Sequence, residues 1–276
     1  MMFRRSRLLW VRLIFSFSLL TTLGCFPGTI EAAVDWASTL TRDPRGNFPD
    51  PRPCHATYVY GWSGITAATS DAHFYRDEQQ RFILEGKART VGLARVLWKF
   101  DLSYRSVVNA QTLRPLETHQ IETARGKRIE TNLKFTNTGV SGSRTEPNRP
   151  APTVKDFAQE NLYDLHSVFL YLRSQPLRDR SIYRVAVYPA NSAYLATLTV
   201  LGREHLHVRS GNYNAIKMDL KLQRVNKKNE LEPHRKFKRA TIWISDDNDR
   251  VLLRIESQIF VGTVTAELQS IHFDNN

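Results

Sequence analysis

Residues 128–135 read Arg-Ile-Glu-Thr-Asn-Leu-Lys-Phe, with Ile129, Thr131, Leu133 and Phe135 at every second position. Side chains of a strand point alternately to its two faces, so this segment predicts a half-buried strand with one side packed and the other in water. Related stretches follow along the chain at residues 56–60, 66–75, 81–88, 101–108, 116–124, 181–188, 193–201, 204–208, 212–225, 239–245, 251–260 and 261–271. They are rich in β-branched and aromatic residues and are bounded by Gly, Pro, Asn or Asp. Most connections are short, which favours antiparallel neighbours, because a parallel pair needs a long crossover. The expected fold is mainly β: an antiparallel curved sheet or open barrel of about ten strands, with one amphipathic helix.

That helix is predicted over residues 164–173. Leu165, Val168, Phe169 and Leu172 form an apolar stripe, Asp164 stands where an N-cap acts, and Pro176 stops the run. A shorter helical pattern, Leu93, Val96, Leu97 and Phe100, leads into the strand at 101–108. Residues 138–154, with three prolines and two glycines, are expected to be a loop or a linker between halves.

The N-terminus carries Arg4, Arg5 and Arg7, then a mainly apolar run over 8–24, then Ile30-Glu31-Ala32. This is the three-part order of a secretory signal, giving residues 1–32 as signal peptide and a periplasmic location. Thr22-Leu23-Gly24-Cys25 resembles a lipobox, so an outer-membrane lipoprotein anchored through Cys25 is the competing expectation. Residues 33–53 form an irregular Pro-rich lead, and 54–273 a single β-rich domain. The full chain carries +12. Such a charge suits anionic partners, including peripheral contact with an anionic membrane surface. Nucleic acid is not expected as a partner of an exported chain, although Arg235-Lys236-Phe237-Lys238-Arg239 is a basic run with an interleaved aromatic.

Cys54 lies in a Pro-rich segment outside any nucleophile motif. His205 and His207 share one strand face, a metal-compatible spacing that surface polarity explains equally well. Gly139-Val140-Ser141-Gly142-Ser143 lacks the strand-to-helix setting of a nucleophile elbow. Asp246-Asp247-Asn248-Asp249 lacks the final Glu of a calcium loop and reads as a turn. No catalytic residue, metal site or cofactor is expected.

Three further segments carry a resemblance. Asp164-Leu165-His166-Ser167-Val168-Phe169-Leu170-Tyr171-Leu172-Arg173 is similar to a "D-L-x-S-x-x-x-Y-L-R" helix. Gly211-Asn212-Tyr213-Asn214-Ala215-Ile216-Lys217 is similar to a "G-x-Y-x-A-I-K" strand, and Trp243-Ile244-Ser245-Asp246-Asp247 to a "W-x-S-D-D" hairpin. Together they resemble the bacterial secreted domain-of-unknown-function family 3108, over roughly residues 58–268. The resemblance implies export and fold, and no chemistry. The expected function is therefore an exported, non-catalytic binding or assembly protein of the cell envelope, with an envelope protein or lipid as partner. The alternative is a periplasmic carrier holding a lipid or other apolar ligand between sheet and helix. Trp243, Tyr213, Phe169 and Leu172 are the expected lining residues.

Overall fold

The computed structural model describes residues 35–149, 151–234, 237–259 and 262–274. The expected signal segment, including Cys25, lies outside the described residues, as do Arg235 and Lys236 of the basic run.

The first half is a meander of β1 (Cys54–Trp62), β2 (Ile65–Arg76), β3 (Phe82–Thr90), β4 (Phe100–Val108), β5 (Pro115–Ala124), β6 (Lys127–Thr136), β7 (Gly139–Thr145) and β8 (Thr153–Ala158). The second half holds β9 (Leu162–Tyr163), β10 (Ile182–Val187), β11 (Tyr194–Val208), β12 (Gly211–Val225), β13 (Leu231–Pro233), β14 (Phe237–Ser245), β15 (Leu252–Ile259) and β16 (Gly262–Phe273). Helix α1 (Gly92–Leu97) joins β3 to β4, helix α2 (Ser167–Ser174) lies between β9 and β10, and a short 3-10 helix covers Trp36–Thr39.

All the strands belong to one sheet, ordered β8-β7-β6-β5-β4-β3-β2-β1-β16-β15-β14-β12-β11-β10-β9, with β13 on β12. Its centre is the antiparallel pair of β1 and β16, which makes the two ends of the domain the seam between halves. The pairs are antiparallel except β9 with β10. Leu133, Phe135 and Val140 of β6 and β7 pack in one buried cluster with Leu162, Ala186 and Leu195 of β9 to β11. Those strands stand at opposite ends of the strand order, so the sheet curls until its two edges approach. The result is an open barrel.

Three expectations are corrected. The described residues form sixteen strands rather than about ten. The strands without an expected counterpart are β9 and β13, which have too few residues to show a period, and β7 and β8, which begin in a stretch expected to be a loop. Conversely, the stretches 193–201 and 204–208 are one strand, interrupted by a bulge between Val200 and Gly202. Second, residues 138–154 are not a linker, because β7 and the start of β8 occupy them. Gly139, Val140 and Arg144 are the buried residues there, and an inward-facing arginine hides the alternation. Gly142 lets β7 lie against β6, since a Cβ there would stand 2.0 Å from the Asn132 carbonyl oxygen. Third, the short helical pattern does form a helix among the described residues, α1, but it ends at Leu97 and Phe100 of that pattern belongs to β4.

Helix α2 is set by its own sequence. The fully buried Asp164 carboxylate accepts from the backbone N–H of Ser167 at 2.6 Å and of His166 at 3.1 Å, satisfying donors the first turn leaves open. The Ser167 hydroxyl accepts in return from the Asp164 N–H. The buried face differs from the expected stripe: Leu170, Tyr171 and Leu172 are buried, Val168 and Phe169 half-buried, and Leu165 exposed. This face packs into the main core with Phe74, Phe82 and Val108 from one half and Val185, Leu198, Ile216 and Ile244 from the other.

The lead before β1 is irregular but not loose. Arg173, at the end of α2, donates to the carbonyls of Pro49 at 2.8 Å and Asp249 at 3.0 Å. Arg250 donates to the carbonyls of Arg173 and Gln175. Phe48 of the lead lies against both guanidinium groups, closest to Arg250 at 3.4 Å. Asp247 closes the β14–β15 turn by accepting from Ser245 Oγ and the N–H groups of Asp249 and Arg250. The acidic run is therefore turn chemistry, as expected. Gly46 touches the same helix end, where a Cβ would meet the Ser174 carbonyl oxygen at 2.0 Å. Gly46→Ala is expected to cost about 1–3 kcal/mol by overpacking against backbone and to detach the lead. Limited proteolysis should then cut within residues 43–53 faster than in wild type. Equal cutting rates would show that the contact does not hold the strap.

Candidate functional site

The four residues expected to line a ligand space are not brought together. Phe169 and Leu172 belong to the main core beneath α2. Trp243 and Tyr213 belong to a separate cluster with Ala56, Leu206, Val208 and Leu268. Trp243 is buried, and its indole N–H donates to Glu204 at 2.7 Å. Side chains from both halves of the sheet fill the space under α2. An open cleft of about 870 Å³ lies elsewhere, between the lead at residues 44–50 and the β4–β5 connection. None of the four lines it. His205 and His207 are exposed, with His207 Nδ1 2.8 Å from Asn212 Oδ1. Cys54 packs against the main core, where burial pushes its thiol up to about 11, far from an activated thiolate.

The surface feature that stands out is one end of the first half. Antiparallel alternation places the β1–β2 turn, the α1 connection and the β5–β6 turn at the same end. Helix α1 carries the apolar pattern read from the sequence but buries none of it. Leu93, Val96 and Leu97 are 62%, 84% and 66% exposed, and Phe100 is buried in β4. Ile65 and Trp62 add exposed apolar surface from the β1–β2 turn. Exposed apolar residues are ordinary when scattered and informative when grouped. Cations surround the group: Arg89, Lys99, Arg125, Lys127 and Arg128 are all exposed. The arrangement is held together by backbone and ring contacts. Arg125 N–H donates to the Lys99 carbonyl at 2.9 Å, its guanidinium donates to the Leu97 carbonyl at 3.2 Å, and its Cζ lies 4.3 Å over the Trp98 ring. Arg95 is tied to Asp101 at 2.9 Å and Arg128 to Glu130 at 3.0 Å, so part of the positive charge is locally balanced.

Behind this end stands a group of half-buried aromatic side chains. Tyr58, Tyr60 and Trp62 alternate along β1 and so share a face. Tyr104 of β4 stands opposite Gly86, whose missing Cβ makes room for the phenol; a Cβ there would meet the Tyr104 hydroxyl at 2.7 Å. The His166 ring stacks on Tyr104 at 4.4 Å. Tyr58 donates to the Leu252 carbonyl at 3.1 Å, and the Tyr60 hydroxyl lies 3.1 Å from Ser70 Oγ. Burial pushes the three phenols up and the imidazole down, so each is held neutral at pH 7. All four nevertheless keep partial surface exposure. The sequence places Tyr60 in a strand and His166 in a helical motif, but nothing in it joins them to Tyr104. The available signal was the two-residue spacing of Tyr58, Tyr60 and Trp62.

A family model described as "Protein of unknown function (DUF3108)" matches residues 57–269. No curated protein matches the chain. Among solved structures, a β-barrel-like protein of domain of unknown function DUF1849 from Brucella abortus aligns with TM-score 0.58 at 9% identity, covering 82% of this chain and 99% of that one. At that identity the likeness is one of fold. A protein with a YmcC-like fold from Bacteroides fragilis aligns at TM-score 0.31 and 10% identity, covering 83% of this chain and 99% of that one.

Proposed function

This chain belongs to the DUF3108 family of proteins of unknown function, and from that premise we propose that it is an exported cell-envelope protein that works by binding, without catalysis, seated on an anionic membrane surface. The basic, apolar and small-residue order of residues 1–32 supports export to the periplasm. The observation that carries the surface contact is the group Leu93, Val96 and Leu97, exposed on α1 and ringed by exposed arginine and lysine. Apolar side chains enter the headgroup region while basic residues add about 1 kcal/mol each near an anionic leaflet. Trp62 and Trp98 are side chains suited to that boundary. An envelope protein as partner uses the same surface.

A second reading, a carrier of a lipid or another apolar ligand, takes the half-buried Tyr58, Tyr60 and Tyr104 as the wall of a binding recess. It offers aromatic faces with neutral hydroxyls, and Trp62 extends the same face of β1 to the apolar end. The ligand would then enter there rather than beneath α2.

Vesicle flotation tests the first reading. The mature chain is expected to float with phosphatidylglycerol vesicles, and less with phosphatidylcholine vesicles. Val96→Asp with Leu97→Asp should abolish flotation while leaving the melting temperature unchanged, because both side chains are exposed. Lys127→Glu with Arg128→Glu should weaken it by more than about tenfold at low salt. A chain that stays at the bottom of the gradient with every vesicle would sink the proposal. For the second reading, a fluorescent fatty acid should bind saturably and lose about tenfold in affinity with Tyr104→Ala. Affinity untouched by that change would remove the recess from consideration.

A further inference from the structure

Three histidines stand in one row across the seam of the sheet. His55 on β1 lies directly opposite His73 on β2 and, on its other side, directly opposite His272 on β16. Directly opposed residues share a sheet face, with Cβ atoms about 4.5–5.5 Å apart. Cys54, the next residue along β1, alternates to the other face and packs against the core. Asp274 follows β16, and its N–H donates to the Pro53 carbonyl at 3.0 Å, which fixes its backbone beside the start of β1. One Asp274 carboxylate oxygen lies 3.8 Å from His55 Nε2 and the other 3.7 Å from His73 Nε2. The two imidazoles stack with centroids 3.8 Å apart, so both present Nε2 to the same carboxylate. Tyr75 stacks on His73 at 4.5 Å and supports the row from its far end.

We propose that His55, His73 and Asp274 form a binding site for one divalent transition-metal ion of the zinc and copper class. One ligand atom from each residue lies within 4.8 Å of the other two. Ligands placed tetrahedrally at about 2.0–2.2 Å from an ion stand about 3.3–3.6 Å apart. The 3.7 and 3.8 Å contacts run to different oxygens of Asp274, and with one atom from each residue the three ligands lie within 4.8 Å, so an ion draws them together by about 1 Å and turns one ring out of the stack. Two imidazoles with one carboxylate suit zinc, copper(II) or nickel, whereas calcium and magnesium take sets dominated by oxygen. The fourth position is open to water or to His272. All the ligands are reachable from solvent, so an ion has a path in. The ligands come from β1, β2 and the residue just after β16, on both sides of the seam between halves. An ion held there cross-links the two halves of the sheet and stabilises the folded state by mass action.

The test uses the mature chain without an affinity tag, stripped with a chelator and then titrated with zinc(II) by calorimetry. One equivalent is expected to bind saturably, and His55→Ala or His73→Ala should each weaken it by about 100-fold, the upper end of what losing even a supporting partner costs. Copper(II) in the same site should show nitrogen hyperfine coupling from two imidazoles by electron paramagnetic resonance, reduced to one in either variant. A saturating ion should raise the melting temperature by about 5 °C or more in wild type and not in His55→Ala with His73→Ala. The side chains are at the surface, so the metal-free variants should melt with wild type, and Asp274→Asn provides a near-isosteric check. His205→Ala with His207→Ala should leave affinity unchanged. The proposal is overturned by the absence of saturable binding. It is equally overturned by binding that survives the loss of both His55 and His73, or that vanishes with His205 and His207.

Discussion

Leu172→Asp should lower the melting temperature by about 10 °C or more, with a loss of about 4–5 kcal/mol or greater. Leu172 is buried on the core face of α2, in contact range of apolar side chains from both halves of the curled sheet. Aspartate there forfeits the apolar burial and places a carboxylate among leucine, valine and aromatic groups that offer it no donor. Either the carboxylate remains protonated, or the helix lifts from the sheet, and both outcomes cost stability. Leu172→Ala provides the graded comparison, at about 2–5 kcal/mol for the lost contacts and the cavity left behind. Thermal melts monitored by circular dichroism decide the matter. A Leu172→Asp protein melting within a degree or two of wild type would show that α2 is not a wall of the core.

Asp164→Ala should be nearly as damaging, for a different reason. The carboxylate is fully buried and has four donors: two backbone N–H groups of α2, Ser106 Oγ at 2.5 Å and Thr118 Oγ1 at 2.7 Å. Ser106 and Thr118 belong to β4 and β5, so this one side chain both starts the helix and ties it to the first half of the sheet. Losing a cap costs about 0.5–2 kcal/mol. Leaving two buried hydroxyls without an acceptor adds about 1–3 kcal/mol each. The expected total is about 3–8 kcal/mol, measured as a drop in the midpoint of urea unfolding. Asp164→Asn should fall between Ala and wild type, because its amide oxygen can still cap the helix. If Ala and Asn behave alike, the hydroxyl contacts contribute and the cap does not.

These two residues show what the resembling motifs are for. Asp164 starts α2, Arg173 ends it on the lead and on the β14–β15 turn, and Asp247 and Arg250 shape that turn and meet the helix end. The D-L-x-S, Y-L-R and S-D-D signatures thus converge on one structural junction rather than on a reacting centre. Trp243 and Tyr213 pack apart from that junction, in the cluster of Leu206 and Leu268.

Local chemistry made much of the fold legible. A period of two over 128–135 fixes which side chains face inward whatever the partner strand, and Ile129, Thr131, Leu133 and Phe135 are all buried. Asp164 and Pro176 bracket a helix because capping and ring geometry act within a few residues. Short connections imply antiparallel pairs, since a chain of few residues can only fold back. What depended on distant partners was not legible. Arg144 is fully buried with Glu146, two residues on, accepting from it at 2.9 Å, but Thr131 at 3.0 Å and Glu122 at 3.9 Å, which complete its surroundings, reach it only through the folded sheet. The stripe of α1 has the same helical period as a core-facing helix. Only the position of the α1 connection at the end of the sheet leaves Leu93, Val96 and Leu97 uncovered. His55, His73 and Asp274 are far apart along the chain, and it is the pairing of β1 with both β2 and β16 that sets them side by side. Periodicity reports which face a residue occupies, whereas curvature and strand order decide what that face meets.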